Sequence, residues 1–345
     1  MVTINDVPKK AKVSIATVSR VFNNTAKVAD STRKKILKTA KDLGYKHIPN
    51  SRVRSSFKTI GLITPTFRGN HYGEIFMGIE DCAFKNGYDI IVATTQRIPE
   101  KEERVIEDYF KRKVDGVLIC SLKGNEYFLN ELINSGIPIV SIDNKISDIK
   151  VDSINIDNYN ASYEISKYLY RKGHRQIFFI PGPSDYYSSR ERKDGLYNFC
   201  LKHRDFKVIE SEMEGFEPLN GYRAMKNHLE KYERNFTAIF SINDHVAMGA
   251  MKALSENNIK IPDDVSIIGF DNSLFAECTV PPLTTVFQPR NEMGFTAAQL
   301  LIERLNGNKT GVHRNILLPT DLIEGDSVKD ISKSKVRCEN VLQRD

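Results

Sequence analysis

The sequence predicts an α/β protein: a small all-α head followed by a two-lobed core of parallel sheets. Two observations predict this. Charge is segregated along the chain, and strand and helix signals alternate in two series through the body. The first 59 of 345 residues hold 14 Lys and Arg against 3 Asp and Glu, a net of +11. The other 286 carry a net of −5. A basic head on a mildly acidic body is the footprint of polyanion binding rather than of an evenly solvated surface.

The head reads as three short helices. Thr3 and Asp6 form a capping-box-like start, with Val7 and Ala11 on one apolar face. Ser14 is the N-cap candidate of a second helix, in which Val18, Val21 and Phe22 form one stripe. Ile15, Ala16, Ser19 and Arg20 fall on its other faces. A third helix runs from about Ser31 to Leu43, with Ile36, Leu37, Ala40 and Leu43 on one side and Gly44 as a left-handed stop. The bland alternative is a helical cap on a larger domain. The charge and the helix-turn-helix spacing favour DNA.

From Thr59 the body alternates. Apolar runs at Ile60–Ile63, Tyr88–Ala93, Asp115–Cys120 and Pro138–Asp143 are separated by helical stretches near 72–85 and 100–112 and by one further helix. After the stretch 157–172 come strands at Gln176–Ile180, Thr237–Ser241 and Val265–Gly269, with helices near 189–203, 218–231 and 243–257. Repeated strand–helix units imply parallel sheets covered on both faces. The strands end at polar or glycine-bearing steps: Thr64-Pro65, Ser121, Asp143, Pro181-Gly182, Asn243-Asp244 and Asp271. Ligands of open α/β sheets bind beyond the carboxyl ends of strands. Two facing lobes would therefore line a cleft with these groups. Helix capping at Asn243 and a turn at Asp271 explain the same residues equally well.

Composition excludes several classes. The five cysteines are scattered without a C-x-x-C pair, which fits reduced thiols in the cytoplasm. There is no signal-peptide pattern, and no apolar run approaches the ~20 residues that span a membrane. No phosphate loop, nucleophile elbow or zinc motif is present, so neither catalysis, a cofactor nor a metal is expected.

The head resembles the LacI/GalR family of bacterial transcription regulators. It carries T-I-x-D-V, V-S-x-A-T-V-S-R-V-x-N, T-R and L-G-Y in order. The resemblance implies that Ile15, Ala16 and Arg20 face base edges, while Thr3, Ser14, Thr17, Ser19, Asn23 and Tyr45 hold phosphates. The chemistry agrees. Arg suits guanine O6 and N7, small apolar groups suit a thymine methyl, and hydroxyls position without reading sequence. Three features depart from the family pattern. Pro8, inside helix 1, stands where the family usually has Ala, at a cost of about 3 kcal/mol. Lys12 replaces the usual Gly of the turn, where a side chain at positive φ costs about 1–2 kcal/mol. The hinge helix departs most. Residues 49–58 contain no Leu, leaving Val53 and Phe57 as wedge candidates for the minor groove. An extended tether is the alternative, with Phe57 as ordinary core.

The body resembles the same family, whose core is like a periplasmic sugar-binding protein. The matching stretches are Val114–Val117, Gly173–Arg175, Asn243-Asp244, Ile261–Asp264, Ile268–Asp271 and Pro281–Thr285. By position, this implies an effector site of Asp143, Arg192, Asn243 and Asp271, with aromatic faces from Tyr72 and Phe216 and with Gln288 nearby. Arg192 within Arg190–Asp194 also reads as a solvated helix face, and Phe216 as core. The implied organisation is a head over 1–48, a hinge over 49–58, a core over 59–328 and a polar tail over 329–345. The first lobe would take about 59–158 and 290–317, and the second 159–289 and 318–328. The function implied is a repressor of a carbohydrate-utilisation operon. It would bind a palindromic operator as a homodimer, under control of a small sugar or sugar-phosphate. A sugar-binding protein with a degenerate head and a sugar-modifying enzyme are the alternatives.

Overall fold

The computed structural model describes residues 6–23, 28–45, 58–120, 133–134, 136–144, 151–307 and 311–332. The chain divides into two compact units, Met1–Phe57 and Lys58–Asp345. Thr3, Val53 and Phe57, the side chain of Asn23, Ser121 and the helix expected between Cys120 and Pro138 lie outside the described residues.

The head is three helices, α1 (Asp6–Ala11), α2 (Ile15–Asn23) and α3 (Asp30–Asp42). Val7, Ala11, Val18, Val21, Ile36 and Ala40 form its buried core, with Phe22 and Tyr45 meeting edge to face at 5.7 Å. Leu37 departs from expectation: it is 45% exposed, one position off the face that Ile36 and Ala40 bury. Pro8 lies in the first described turn of α1, where a missing N–H costs least. Lys12 does adopt the left-handed conformation, with φ 51°. The Val13 N–H closes that turn onto the Pro8 carbonyl. Gly44, with φ 69°, ends α3 as expected.

The body contains β1 (Lys58–Thr64), α4 (His71–Lys85), β2 (Tyr88–Thr94), α5 (Pro99–Arg112), β3 (Gly116–Cys120), β4 (Ile139–Ile142) and β5 (Asp152–Ile156). There follow α6 (Asn158–Arg171), β6 (Gln176–Ile180), α7 (Tyr187–Lys202), β7 (Lys207–Glu210), α8 (Pro218–Lys231), β8 (Ala238–Ser241), α9 (Asp244–Glu256) and β9 (Ser266–Ile268). The last elements are β10 (Thr285–Phe287), α10 (Arg290–Leu305), β11 (Asn315–Leu318) and β12 (Asp321–Ile323). One six-stranded parallel sheet has the order β11-β5-β4-β3-β1-β2, and a four-stranded parallel sheet the order β7-β6-β8-β9. Antiparallel β10 and β12 form a small ladder between them, bridged to the second sheet at Ile268 and Asp271. The α/β class and the two-lobed parallel architecture are as the sequence predicts.

The chain crosses between the sheets three times: after Ile156, between Phe287 and Arg290, and between Leu318 and Asp321. The helices are drawn together by small residues. A Cβ on Gly78 of α4 would collide with the Asn291 carbonyl of α10, and one on Gly294 with the Ile75 carbonyl. The two backbones therefore touch, which fixes α4 and the residues at its N-terminal end against the crossing segment.

Of the polar tail expected over 329–345, the described residues are 329–332. Residues 329–332 pack on the second lobe, with the Lys329 N–H on Ser266 Oγ and the Ile331 N–H on the Lys172 carbonyl. Buried His174 holds them from beneath. Its Nε2 lies 3.1 Å from the Lys329 carbonyl and its Nδ1 2.9 Å from Thr237 Oγ1. This pair of contacts suits the neutral ring, with Nε2–H donating and Nδ1 accepting. Burial lowers the His174 pKa to about 4. A folded-state pKa below the unfolded value makes stability complete above about pH 6.5 and progressively lost as pH falls towards 4. Chemical denaturation across that window should show the loss, and His174→Asn should flatten it. An unchanged slope in the variant would remove His174 from the account.

Candidate functional site

Two surfaces carry the chemistry. In the head, Ser14 caps α2: its Oγ accepts from the Thr17 N–H at 3.1 Å and lies 2.8 Å from Thr17 Oγ1. The apolar stripe of Val18 and Val21 turns inward. This leaves Ile15, Ala16 and Arg20 exposed and Thr17 and Ser19 half-buried beside them. Ile15 is 51% exposed, unusual for an apolar residue in so small a core and suited to a base-edge contact. Tyr45 is half-buried against Phe22.

In the body, a cavity of about 610 Å³ lies at the carboxyl ends of both sheets. Tyr72, Asp143, Arg192, Phe216, Asn243 and Asp271 all line it. Each is placed by an identifiable local cause. Tyr72 opens α4. Asp143 follows β4 in a left-handed conformation, with φ 51°, which swings its carboxylate into the cleft. Asp271 follows β9 with φ 115°, and Asn272 has φ 47°, two successive non-glycine residues in strained backbone.

Arg192 is no solvated helix face. It is 4% exposed; its Nε donates to Asn158 Oδ1 at 2.8 Å and its Nη1 to the Ile242 carbonyl at 2.6 Å. Its guanidinium lies 3.5 Å over the Phe270 ring and 3.8 Å from Asp271 Oδ1. Burial holds its pKa below the ordinary value, although Asp271, Asp143 and Asp244 oppose this. Flanking Arg190 and Asp194 are exposed, so helical phase separates Arg192 from its charged neighbours.

The remaining predicted residues divide their roles. Asn243 does cap α9, accepting the Val246 N–H at 2.8 Å and donating to the Phe216 carbonyl at 3.1 Å, while still lining the cavity. Phe216 is half-buried and meets Tyr186 edge to face at 5.2 Å. Gln288 does not line the cavity. It stands behind Asp271 and donates Nε2 to Asp271 Oδ1 at 2.5 Å. Asp244, beneath them, accepts from Thr285 Oγ1 and the Ser273 N–H, both at 2.6 Å. Burial, then the neighbouring Asp271 charge, pushes its pKa upward.

Sequence reasoning missed Thr66, Arg68, His71, Arg97, Tyr186, Ser188, Glu217 and His245, all on the same lining. For Ser188 a signal was present, since it stands one helical turn before Arg192; Arg97, three residues beyond the end of β2 at Thr94, carried none. His71 Nε2 lies 3.2 Å from Asp143 Oδ2, while Asp143 Oδ1 is buried with no hydrogen-bond partner among the described residues. A larger cavity, about 750 Å³, is walled by Phe178, Met213, His228 and Tyr232. It belongs to the second lobe alone, so an occupant there would not bridge the lobes.

Two family models match the chain: bacterial regulatory proteins of the lacI family over residues 3–50, and a periplasmic binding protein-like domain over 166–328. The HTH-type transcriptional repressor PurR of Actinobacillus pleuropneumoniae serotype 3 is 33% identical over 342 residues, covering 96% of this chain and all of the relative. A lacI-family regulator from Enterococcus faecium with bound ribose superposes with a TM-score of 0.72 at 26% identity, over 80% of this chain and all of that one. The transcriptional regulator CelR in complex with cellobiose gives 0.71 at 28%, over 95% of this chain and all of that one. The chain belongs to the LacI/GalR family of bacterial transcription regulators, and it is a repressor with a DNA-binding helix-turn-helix. Among the described residues no helix is long and apolar enough to cross a membrane.

Truncating a buried, hydrogen-bonded charge at a binding site costs about 2–5 kcal/mol of affinity. Arg192→Ala and Asp271→Ala should each reduce effector affinity by that amount in calorimetry and leave ligand-free operator binding unchanged. Unchanged ligand affinity in both would place the site elsewhere.

Proposed function

We propose that the protein represses a carbohydrate-utilisation operon, binding a palindromic operator as a cytoplasmic homodimer and responding to a small sugar in the inter-lobe cleft. The observation that carries the effector half is the buried, unpartnered Asp143 Oδ1 opposite the Arg192–Asp271 pair. A buried carboxylate oxygen without a donor is costly unless a ligand supplies one. Sugar hydroxyls both donate and accept, which suits a site built from two carboxylates, an amide and a guanidinium. The structures with ribose and with cellobiose support this class. A planar heterocycle fits less well. Phe216 and Tyr186 meet at 83°, and Arg97 lies over both rings and covers that face of each.

The cleft supports recognition rather than acid–base catalysis. Asp271 faces Arg192, and Asp143 faces His71. The Arg192 guanidinium is fixed by Asn158 and by the Ile242 carbonyl. Asp271 is thus matched to a guanidinium and Asp143 to an imidazole ring, and both carboxylates are set to accept from a ligand.

The DNA half rests on the +11 head and the outward face of α2. Ile15, Ala16 and Arg20 read base edges in this proposal. Ser14, Thr17, Ser19 and Tyr45 hold phosphates, joined by Thr3 and Asn23, with Val53 or Phe57 as the minor-groove wedge. Arg20→Ala should cost about 1–3 kcal/mol at one base position of the operator, whereas Thr17→Ala should weaken specific and random DNA alike. Fluorescence anisotropy on operator variants at fixed salt separates the two. Equal loss on specific and random DNA for Arg20→Ala would reassign it to a phosphate.

A further inference from the structure

We propose that the mouth of the cleft is a phosphate subsite, built by Arg97 and Arg68, and that the effector is a phosphorylated sugar. The inference rests on the cleft being the effector site. It starts from an imbalance of charge. On the floor each carboxylate has a side-chain partner: Arg192 faces Asp271 at 3.8 Å, and the His71 ring lies 3.2 Å from Asp143. The arginines of the mouth have none among the described residues. Arg68 and Arg97 both line it, and neither guanidinium makes an ion pair or a hydrogen bond with any described residue. Glu217, the acidic residue beside them, is exposed at the start of α8, where its backbone N–H donates to Asn220 Oδ1 at 3.1 Å and its carbonyl accepts from the Asn220 N–H at 2.9 Å; it makes no ion pair with either arginine.

Arg97 is held there against backbone preference. Gln96 and Arg97 are successive left-handed residues, with φ 54° and 61°. The Gln96 N–H bonds to the Pro65 carbonyl at 2.8 Å, and the Arg97 N–H to Thr95 Oγ1 at 3.3 Å. This turn carries the guanidinium from the first lobe to within 5.5 Å of the Tyr186 ring centre and 5.4 Å of that of Phe216, both in the second lobe. Its Nε is buried and unpartnered. Strain of this kind persists where a function requires the side chain to be aimed. Arg68, on the loop after β1, is exposed beside it. Outside the two arginines, a vestibule of about 1100 Å³ shares Thr66, Arg68, Arg97 and Glu217 with the cleft.

Two unpaired guanidinium groups call for more than one negative charge. A phosphate monoester carries about −1.5 to −2 and three strong acceptor oxygens at neutral pH, whereas a carboxylate carries a single charge. The sugar hydroxyls would then meet Asp143, Asp271, Asn243 and Arg192 on the floor, and the phosphoryl group would lie between Arg68 and Arg97. In that position it would tie the first-lobe loops to the aromatic wall of the second.

The test is calorimetry on the full chain with glucose, fructose, ribose and sucrose, each against its phosphate esters, together with glucuronate, inorganic phosphate, hypoxanthine and guanine. One ester should bind roughly ten- to a hundredfold tighter than its parent sugar. Arg97→Met, which keeps the contact with the rings and removes the charge, should weaken the ester roughly ten- to a hundredfold more than it weakens the parent sugar. Arg97→Lys should restore part of the advantage. A parent sugar binding as tightly as its ester in every pair overturns the phosphate subsite and leaves the carbohydrate cleft standing. Glucuronate matching the best ester, or Arg97→Met weakening parent and ester equally, overturns it as well. If no sugar of either kind binds, both readings fall, and a response to hypoxanthine or guanine would replace them.

Discussion

The guanidinium of Arg290 is the constraint on which the cleft depends. It is 3% exposed at the start of α10, where the chain crosses from the second lobe to the first. Its Nε donates to Glu74 Oε2 on α4 at 2.9 Å, its Nη1 to the Asp271 carbonyl, and its Nη2 to the Asn272 carbonyl at 3.2 Å. One planar group therefore joins the helix that carries Tyr72 and His71 to the strained turn that carries Asp271. A lysine would supply the charge but not this fork. The two bonds to the carbonyls join those from the Asp271 N–H to the Val286 carbonyl at 2.9 Å and from the Asn272 N–H to Thr285 Oγ1 at 3.1 Å in holding successive Asp and Asn residues at positive φ, where each costs about 1–3 kcal/mol.

The arrangement also explains how a ligand on the floor would be felt elsewhere. Asp271 is held by Gln288 and Arg192 through its carboxylate and by Arg290 through its carbonyl. Moving the carboxylate therefore loads the crossing segment. The close backbone contact of α4 and α10 through Gly78 and Gly294 leaves little slack, because well-packed interiors transmit displacement rather than absorb it. A ligand that prefers one lobe arrangement would bias the whole core by its differential affinity, and no more than that.

Much of this was legible in the sequence. Strand and helix positions followed from apolar runs of four to six residues between amphipathic segments, because both faces of a parallel sheet are buried. The short strands β5, β7, β10, β11 and β12 were not legible. They hold three to five residues, and polar groups interrupt them: Asp152 and Asn155 in β5 are buried and would read as a loop. Asp152 is tolerated because Arg304 meets it with Nε at 2.7 Å and Nη2 at 2.8 Å, a partner 152 residues away that periodicity cannot see. The same limit left a solvated helix face open as an alternative for Arg192, whose neighbours in sequence are charged while its neighbours in space are Asn158, Phe270 and Asp271. Arg97 escaped because its position depends on two left-handed residues, and nothing in Thr-Thr-Gln-Arg signals that conformation. Leu37 was misplaced by a single position of helical phase, which in so small a core is the difference between buried and 45% exposed.

The most direct test of the account locates the ligand rather than measuring its strength. Hydrogen exchange by mass spectrometry, on the full chain with and without the sugar ester that binds best, reads out protection segment by segment. The account predicts slower exchange at three places: residues 139–144, 186–192 and 268–272, where the cleft floor meets its ligand. Protection confined instead to the segments around Phe178, Met213 and Tyr232, with none at Asp143 or Asp271, would contradict it.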